Sequence, residues 1–162
     1  MGKGYLFECA HCGKIFSVFP GAGVAFSTVY GNIMDGVRRG DYGDELQSIS
    51  QELPFFAVDA ESYLFKCSGC GYWEVGPGLS LYAPNNLKAY IQRRYGQNTI
   101  AGWNKESYVT FNELQSNFHV IKRYLHPCPK CGKRMRKADK KTDFLSLPCP
   151  GCGTECTAEV KE

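Results

Sequence analysis

Two runs of apolar residues at helical spacing lie close together in the N-terminal part of the chain. In the first run, apolar side chains recur at i, i+4, i+7 and i+11, and these are Phe26, Tyr30, Ile33 and Val37. A glycine-containing break follows. The same spacing then recurs at Tyr42, Leu46, Ile49 and Leu53, and Pro54 ends it. The pattern predicts an α-hairpin over about residues 22–54.

Short extended segments flank this hairpin. The order of apolar and polar residues predicts strands at about 4–9, 14–19, 62–67 and 72–75. The Gly/Pro-rich stretch 76–84 is typical of a linker or an edge segment. The first half of the chain is therefore predicted to contain two strands, a helical insert and two further strands.

The middle of the chain has a second helical signal. A short helix is expected after Asn85 or Asn86, and Thr110 and Glu113 form a capping-box pattern. Apolar residues then continue at helical spacing from Phe111 to Leu125, which predicts a helix over 110–125. Because 118–125 is also rich in residues that favour strands, a strand there remains an alternative.

Cysteine spacing adds the strongest chemical signal. Eight of the nine cysteines form CxxC pairs, each followed by glycine: Cys9/Cys12, Cys67/Cys70, Cys128/Cys131 and Cys149/Cys152. A turn that points backbone N–H groups at two sulfurs needs a residue with positive φ, and glycine supplies it. Metal binding is therefore favoured over disulfides for these cysteines.

The four CxxCG segments resemble the metal-binding knuckles of the zinc-ribbon and rubredoxin-like superfamily. The resemblance covers roughly a quarter of the chain and implies metal binding without implying a biological role. Two Zn²⁺ ions are expected, each held by four thiolates that leave no open coordination position, so the sites are expected to be structural and the protein not an enzyme. Iron, as in a rubredoxin-like electron carrier, is the minor alternative.

Spacing suggests how the pairs combine. Cys128, Cys131, Cys149 and Cys152 enclose 17 residues, within the range of a four-cysteine zinc site. Cys9, Cys12, Cys67 and Cys70 enclose 54 residues, enough for an inserted subdomain. The prediction is that neighbouring pairs share a metal, although spacing leaves crossed pairings open.

These elements predict an α+β protein with two small zinc ribbons joined by a helical segment. The predicted domains are residues 1–83, a ribbon with a helical insert at about 22–54; residues 84–125, a helical middle segment; and residues 126–162, a basic ribbon.

Charge is distributed unevenly along the chain. Residues 1–83 have five Lys/Arg and nine Asp/Glu, a net charge of −4, whereas residues 84–162 have fourteen and seven, a net charge of +7. The basic residues within the third knuckle and in the loop between the last two knuckles are candidates for phosphate contacts in DNA or RNA. They are Lys130, Lys133, Arg134, Arg136, Lys137, Lys140 and Lys141. The alternatives for these residues are balancing an anionic thiolate site and contacting an acidic protein.

Other chemistries fit less well. A zinc deaminase would need a Glu two places after a His or Cys ligand, and no such Glu exists here. A redox CxxC normally opens a helix, whereas these motifs recur with a following glycine. Cys156 is either a spare thiol or a replacement ligand. Tyr95 and Trp103 are candidates for stacking on unpaired bases or for the core.

Composition and partners complete the prediction. Apolar residues make up 43% and charged residues 22% of the chain, which is typical of a globular protein. No secretory hydrophobic run or membrane segment is recognised, so a cytoplasmic location is expected. The leading function is a nucleic-acid-binding adaptor. The alternative is a protein-interaction or inhibitory module of a bacterial or phage complex, and a homodimer is possible.

Overall fold

The protein is described by a computed structural model covering residues 3–23, 25–53, 55–90, 108–139 and 141–161. The chain forms two compact units that interleave along the sequence. The first, the cysteine unit, comprises residues 1–21, 62–76 and 125–162. The second, the helical unit, comprises residues 22–61 and 77–124. The expected mixed α+β class is confirmed, but each unit is assembled from separate segments, whereas the predicted domains are continuous.

The cysteine unit is built from short strands. Their bounds are β1 Gly4–Glu8, β2 Ile15–Val18, β4 Ser62–Lys66, β5 Trp73–Pro77, β8 Arg136–Lys137, β9 Ser146–Pro148 and β10 Glu155–Lys161, with a 3-10 helix at Lys141–Phe144. They form two antiparallel sheets, one in the order β2–β1–β10–β9 and one in the order β5–β4–β8. Strands predicted near 4–9, 14–19, 62–67 and 72–75 are therefore confirmed.

Pairing of two strands from opposite ends of the sequence closes the first sheet. Strand β1 pairs with β10 in the register Gly4↔Lys161 to Phe7↔Ala158, and β2 lies on the other side of β1. The predicted strands therefore do not assemble into one ribbon. Instead, β1 and β2 join β9 and β10, while β4 and β5 join β8.

The helical unit contains the predicted α-hairpin. Helix α1 spans Phe26–Arg39 and α2 spans Asp44–Glu52. Gly40 ends α1 with a φ of 86°, a left-handed conformation that favours glycine. Tyr42, which follows the helix, packs against Gly36 within it. A Cβ atom on Gly36 would lie only 2.7 Å from the Tyr42 ring, so this contact also requires glycine.

A small sheet completes the helical unit. Its strands are β3 Ala57–Val58, β6 Leu81–Pro84 and β7 Phe118–Lys122, and they pair in the order β3–β6–β7. The 76–84 stretch thus contains β6, the middle strand of this sheet, so the prediction of a linker or edge segment is wrong for 81–84. It is correct for Gly76 and Pro77, which end the edge strand β5 where the chain passes from the cysteine unit to the helical unit. Leu81 is fully buried, and burial of such a side chain contributes about 1.5–3 kcal/mol.

The helix predicted over 110–125 is wrong after residue 117. Helix α3 spans Phe111–Asn117, and Thr110 caps it by accepting a hydrogen bond from the backbone N–H of Glu113, as the capping box predicts. From Phe118 the chain is the strand β7, because pairing with β6 satisfies its backbone and its residues favour strands. A helical turn at 87–90 follows Asn86, whose side chain accepts from the N–H of Ala89.

The two units differ in the size of their cores. Sixteen buried residues form one cluster in the described part of the helical unit. In the cysteine unit the described residues form a cluster of nine and a cluster of four, and both include cysteines. Cores this small are marginal without a further source of stability, which bound metal supplies in many small domains.

Candidate metal centres

Each CxxCG segment folds into the same turn. The backbone N–H of the first cysteine donates to the carbonyl five residues later, at 2.7–2.9 Å, and the glycine N–H donates back to the carbonyl of that cysteine at 2.8–3.0 Å. The four glycines have φ between 76° and 80°. A side chain in this conformation would cost roughly 1–2 kcal/mol, which explains the glycine after each pair.

The turn places the two cysteines differently. The first cysteine of every pair is buried and the second is exposed. Backbone N–H groups approach the buried sulfurs, as when Gly151 N–H lies 3.3 Å from Cys149 Sγ and Cys12 N–H lies 3.5 Å from Cys9 Sγ. Donors that face a sulfur stabilise its thiolate form, which is the form that binds a metal.

The eight cysteines form two groups of four. Site 1 consists of Cys9, Cys12, Cys149 and Cys152, and site 2 consists of Cys67, Cys70, Cys128 and Cys131. Within each group all four sulfurs lie within 4.8 Å of one another. In site 1 the Sγ atoms of Cys9 and Cys152 are 3.5 Å apart, and in site 2 those of Cys67 and Cys131 are 3.4 Å apart.

These distances fit a tetrahedral tetrathiolate. A metal–sulfur bond of about 2.3 Å places tetrahedral sulfurs about 3.8 Å apart, close to the separations observed. Both groups could therefore hold a metal ion, with the eight predicted cysteines as ligands. Four sulfurs would fill the coordination sphere and give the ion a role in cross-linking the chain.

The predicted pairing of neighbouring motifs is wrong. The first knuckle shares its site with the fourth, and the second shares its site with the third. The reason is strand pairing, since the β1–β10 ladder brings Cys9 and Cys149 together across the sheet. The crossed arrangement that spacing left open is the one the structure contains.

This nested pairing, first knuckle with fourth and second with third, also changes how the charge pattern along the sequence is interpreted. The cysteine unit has eleven Lys/Arg and seven Asp/Glu, a net charge of +4, and the helical unit has eight and nine, a net charge of −1. The contrast between the two halves of the sequence therefore does not correspond to an acidic and a basic ribbon.

Hydrogen bonds and desolvation shift the pKa values of several of these thiols in opposite directions. The backbone N–H of Cys70 lowers the pKa of Cys67 to about 6, and Thr154 lowers the pKa of Cys152 to about 6. The backbone N–H of Lys14 lowers the pKa of Cys12, but the side chain of Cys149 and the desolvation of the sulfur by its neighbours outweigh it and raise that pKa to about 12. Metal binding at neutral pH would therefore release protons from the more basic thiols.

Cys156 lies outside both groups. Its side chain is 3% exposed, and its thiol donates to the carbonyl of Thr154 at 3.3 Å. Burial raises its pKa to about 11. Cys156 packs in the core beside site 1, where the buried ligands Cys9 and Cys149 also lie.

The predicted phosphate-contacting residues have different surroundings. Lys130 and Lys137 place their ammonium groups over the rings of Tyr72 and Tyr63. The aliphatic part of Lys133 packs on Gly69, since a Cβ there would lie 2.8 Å from Lys133 Cδ.

Arg136 is part of an internal ion pair. Its guanidinium donates to both carboxylate oxygens of Asp143, at 2.8 and 3.2 Å. Arg134 is exposed and its backbone bridges to Pro127. Lys140, Tyr95 and Trp103 lie outside the described residues, and Lys141 begins the 3-10 helix.

Residues that no motif singles out connect the two sites. Trp73 Nε1 donates to the carbonyl of Pro148 at 2.8 Å, immediately before Cys149. Lys66 Nζ, immediately before Cys67, donates to the carbonyl of Asp143 at 3.2 Å. In the sequence, only their position next to a knuckle could have indicated a role for Trp73 and Lys66.

No family model, curated protein or solved structure matches this chain. The resemblance to zinc-ribbon knuckles therefore rests on the cysteine turns and their grouping. Among the residues that the structure describes, no helix has both the length and the apolar character needed to cross a membrane.

Proposed function

We propose that this chain is a non-enzymatic protein with two structural zinc sites, and that it acts as an adaptor which binds nucleic acid through the surface around site 2. Zinc is favoured because closed tetrathiolate sites with glycine turns are typical of structural zinc. Iron is the other candidate, and its ferric tetrathiolate form would colour the purified protein red.

The observation that carries the nucleic-acid proposal is a charge difference between the two sites. The strands and knuckles of site 1, residues 3–18 and 146–161, have three lysines and three glutamates. Those of site 2, residues 62–77 and 126–138, have one glutamate against six basic residues: Lys66, Lys130, Lys133, Arg134, Arg136 and Lys137. Asp143, just outside these ranges, neutralises Arg136, which leaves five unneutralised basic residues against the one glutamate. Even after the charge of about −2 of a zinc tetrathiolate is added, site 2 retains a positive surface.

The rigid turn that carries three of these side chains favours phosphate binding. Lys130, Lys133 and Arg134 are exposed and lie on the third knuckle, whose turn is held by hydrogen bonds to Cys128. Cations on a rigid turn lose less freedom when they bind a phosphate than cations on a disordered tail. Arg136 is excluded from this role because its guanidinium is bonded to Asp143.

The test is binding of the metal-loaded protein to single- and double-stranded DNA and RNA at two salt concentrations. We expect affinity to fall steeply with salt. The variant with Lys130→Gln, Lys133→Gln and Arg134→Gln should reduce the logarithmic salt slope by about 0.7–0.9 for each phosphate that is no longer neutralised. The matched control, with Lys3→Gln, Lys14→Gln and Lys161→Gln at site 1, should retain binding.

Two results would contradict the proposal. Absence of binding at low salt would favour the protein-interaction module instead. Equal loss of binding in both triple variants would show that net charge alone, and not the site 2 surface, is responsible.

A further inference from the structure

Aromatic rings line one face of the sheet at site 2. Tyr63 and Phe65 alternate with buried Leu64 on β4, so they lie on the same face, and their rings meet edge to face at 6.3 Å. The ring of His126 stacks on Phe65 at 3.8 Å with 24° between the planes. Register places Lys137 opposite Phe65, and its Nζ lies 3.7 Å from the centroid of the Tyr63 ring.

A second ring with a cation lies in the same cluster. Tyr72 and Tyr63 are both partly buried and pack against Phe65, Cys67, Cys128 and Met135. Lys130 Nζ lies 5.5 Å from the centroid of the Tyr72 ring, and the Tyr72 hydroxyl donates to Glu74. Both tyrosines therefore combine a supported ring with a lysine ammonium at its face.

The aromatic residues at site 1 are arranged differently. There the ring of Tyr5 stacks on Phe144 at 5.0 Å, and Phe7 stacks on Phe16 at 4.8 Å. Tyr5 and Phe7 are buried in the core of nine residues. Rings pack on one another at both sites, but only at site 2 are two half-buried tyrosines each found with the ammonium of an exposed lysine at the ring face.

We propose that the site 2 surface binds single-stranded nucleic acid, with unpaired bases stacking on Tyr63 and Tyr72 while Lys137 and Lys130 contact the adjacent phosphates. This inference rests on the proposed function and specifies its ligand. An unpaired base exposes the π-face that stacking requires, whereas a base inside a duplex does not. A base that reaches Tyr63 moves the Lys137 ammonium aside, towards the phosphate of the same strand.

Rigid support is what makes these rings suitable. Tyr63 lies within a strand, and Tyr72 follows the second knuckle, where its carbonyl accepts the N–H of Cys67. A metal at site 2 would hold both backbone segments in place. The rings would then be positioned before the strand binds, which reduces the entropy lost on binding.

The experiment measures fluorescence anisotropy of labelled oligonucleotides of about 12 nucleotides, a length within the usual site range, as single strands and as hairpin duplexes. Tyr63→Leu and Tyr72→Leu should each weaken single-strand binding by about 5- to 150-fold and change duplex binding little. Tyr63→Phe and Tyr72→Phe keep the ring and should retain affinity. Metal content and far-UV circular dichroism of each variant are compared with the wild type.

A second measurement uses the unaltered protein and avoids variants that fail to fold. Single strands containing 4-thiouracil are photocrosslinked to the metal-loaded chain, and the modified peptides are mapped by mass spectrometry. We expect crosslinks in the peptides that contain Tyr63 or Tyr72. Crosslinks confined to any other segment would overturn the inference.

The outcomes separate this inference from the proposed function. Equal affinity for single strands and duplexes, with the leucine variants unaffected, overturns the stacking inference and leaves nucleic-acid binding in place. If no oligonucleotide binds at low salt, both the stacking inference and the proposed nucleic-acid binding are overturned. Both are also overturned if a poly-glutamate peptide binds more tightly than every oligonucleotide.

Discussion

The two cysteine sites use the same turn in different surroundings. Site 1 lies at the end of a sheet in the order β2–β1–β10–β9, beside a cluster of nine buried residues. Site 2 lies beside the β5–β4–β8 sheet, where β8 has only two residues and the cluster has four buried residues. The same ligand set thus supports a larger core at one site and a small, basic, aromatic surface at the other.

From this difference we expect a bound metal to replace core packing to a different extent at each site. Around site 1, buried side chains contribute stability beside any metal, so the metal adds to an existing core. Around site 2, one face of the β5–β4–β8 sheet packs in the same nine-residue cluster through Leu64, but the face that carries the site 2 surface has a cluster of only four buried residues, too small to fix that surface by itself. We therefore expect the site 2 surface to depend more strongly on its metal.

The largest effect should come from removing both metals. Binding of a structural zinc ion contributes about 10–16 kcal/mol, comparable with the whole stability of a domain at about 5–15 kcal/mol. Treatment with a strong chelator should therefore unfold the cysteine unit, while α1 and α2, which pack in the separate core of the helical unit, keep their helical signal. Circular dichroism, limited proteolysis and metal analysis would measure this.

Unchanged spectra and proteolysis after complete metal loss would show that the cysteine unit is stable on its own. Neither site would then need its metal to hold the surrounding strands together.

The next effect tests the nested pairing itself. Cys131→Ser should release the remaining site 2 thiols, Cys67, Cys70 and Cys128, to alkylation, while Cys149 and Cys152 stay protected. Cys152→Ser should have the reciprocal effect on site 1. Mass spectrometry of the alkylated peptides measures both, and reactive Cys149 in the Cys131→Ser variant would restore the pairing of neighbours.

A smaller effect should come from the ion pair that joins the surroundings of the two sites. Asp143 is 9% exposed and accepts two hydrogen bonds from Arg136 and one from the N–H of Asp139. Asp143→Asn removes the charge from these bonds, so the free energy of unfolding should fall by about 1.5–3 kcal/mol in urea titrations.

The matched control for Asp143→Asn is Glu159→Gln. Glu159 pairs with Lys161 on the surface, and exposed pairs contribute about 0–1 kcal/mol. Equal effects of the two substitutions would show that the Asp143–Arg136 pair does not connect the sites energetically.

The smallest effect is expected at Cys156. Because it lies outside both groups of four, Cys156→Ala should leave the metal content unchanged and lower the free energy of unfolding by about 1 kcal/mol through lost packing. Metal analysis beside a urea titration checks both. Loss of one metal equivalent would make Cys156 a ligand of site 1.

Local chemistry explains which elements could be predicted from the sequence. The knuckles need glycine after each pair, the capping box at Thr110 starts α3, and the apolar spacing around Tyr30 and Leu46 sets the faces of α1 and α2. Each of these depends on residues only a few positions apart. The strand at 118–122 was harder to predict, since its apolar residues also fit a helix. It forms a strand because it pairs with β6.

The pairing of knuckles could not be obtained in this way, because all four have the same turn and each supplies two equivalent ligands. Loop length discriminates weakly between the alternatives. Joining Cys12 to Cys149 encloses 136 residues and joining Cys131 to Cys149 encloses 17, a difference of about three doublings that costs only about 2 kcal/mol. Strand pairing over β1 and β10 easily exceeds that difference.

The sequence by itself determined that eight cysteines form four turns that could hold a metal and that a helical hairpin is inserted between the first two turns, since these features follow from local spacing. Tertiary structure decided which turns share a metal and which charges and rings surround each site. It also placed Tyr63 and Tyr72 beside the lysines of a knuckle far along the chain. Such neighbours depend on long-range strand pairing, which residue spacing does not encode.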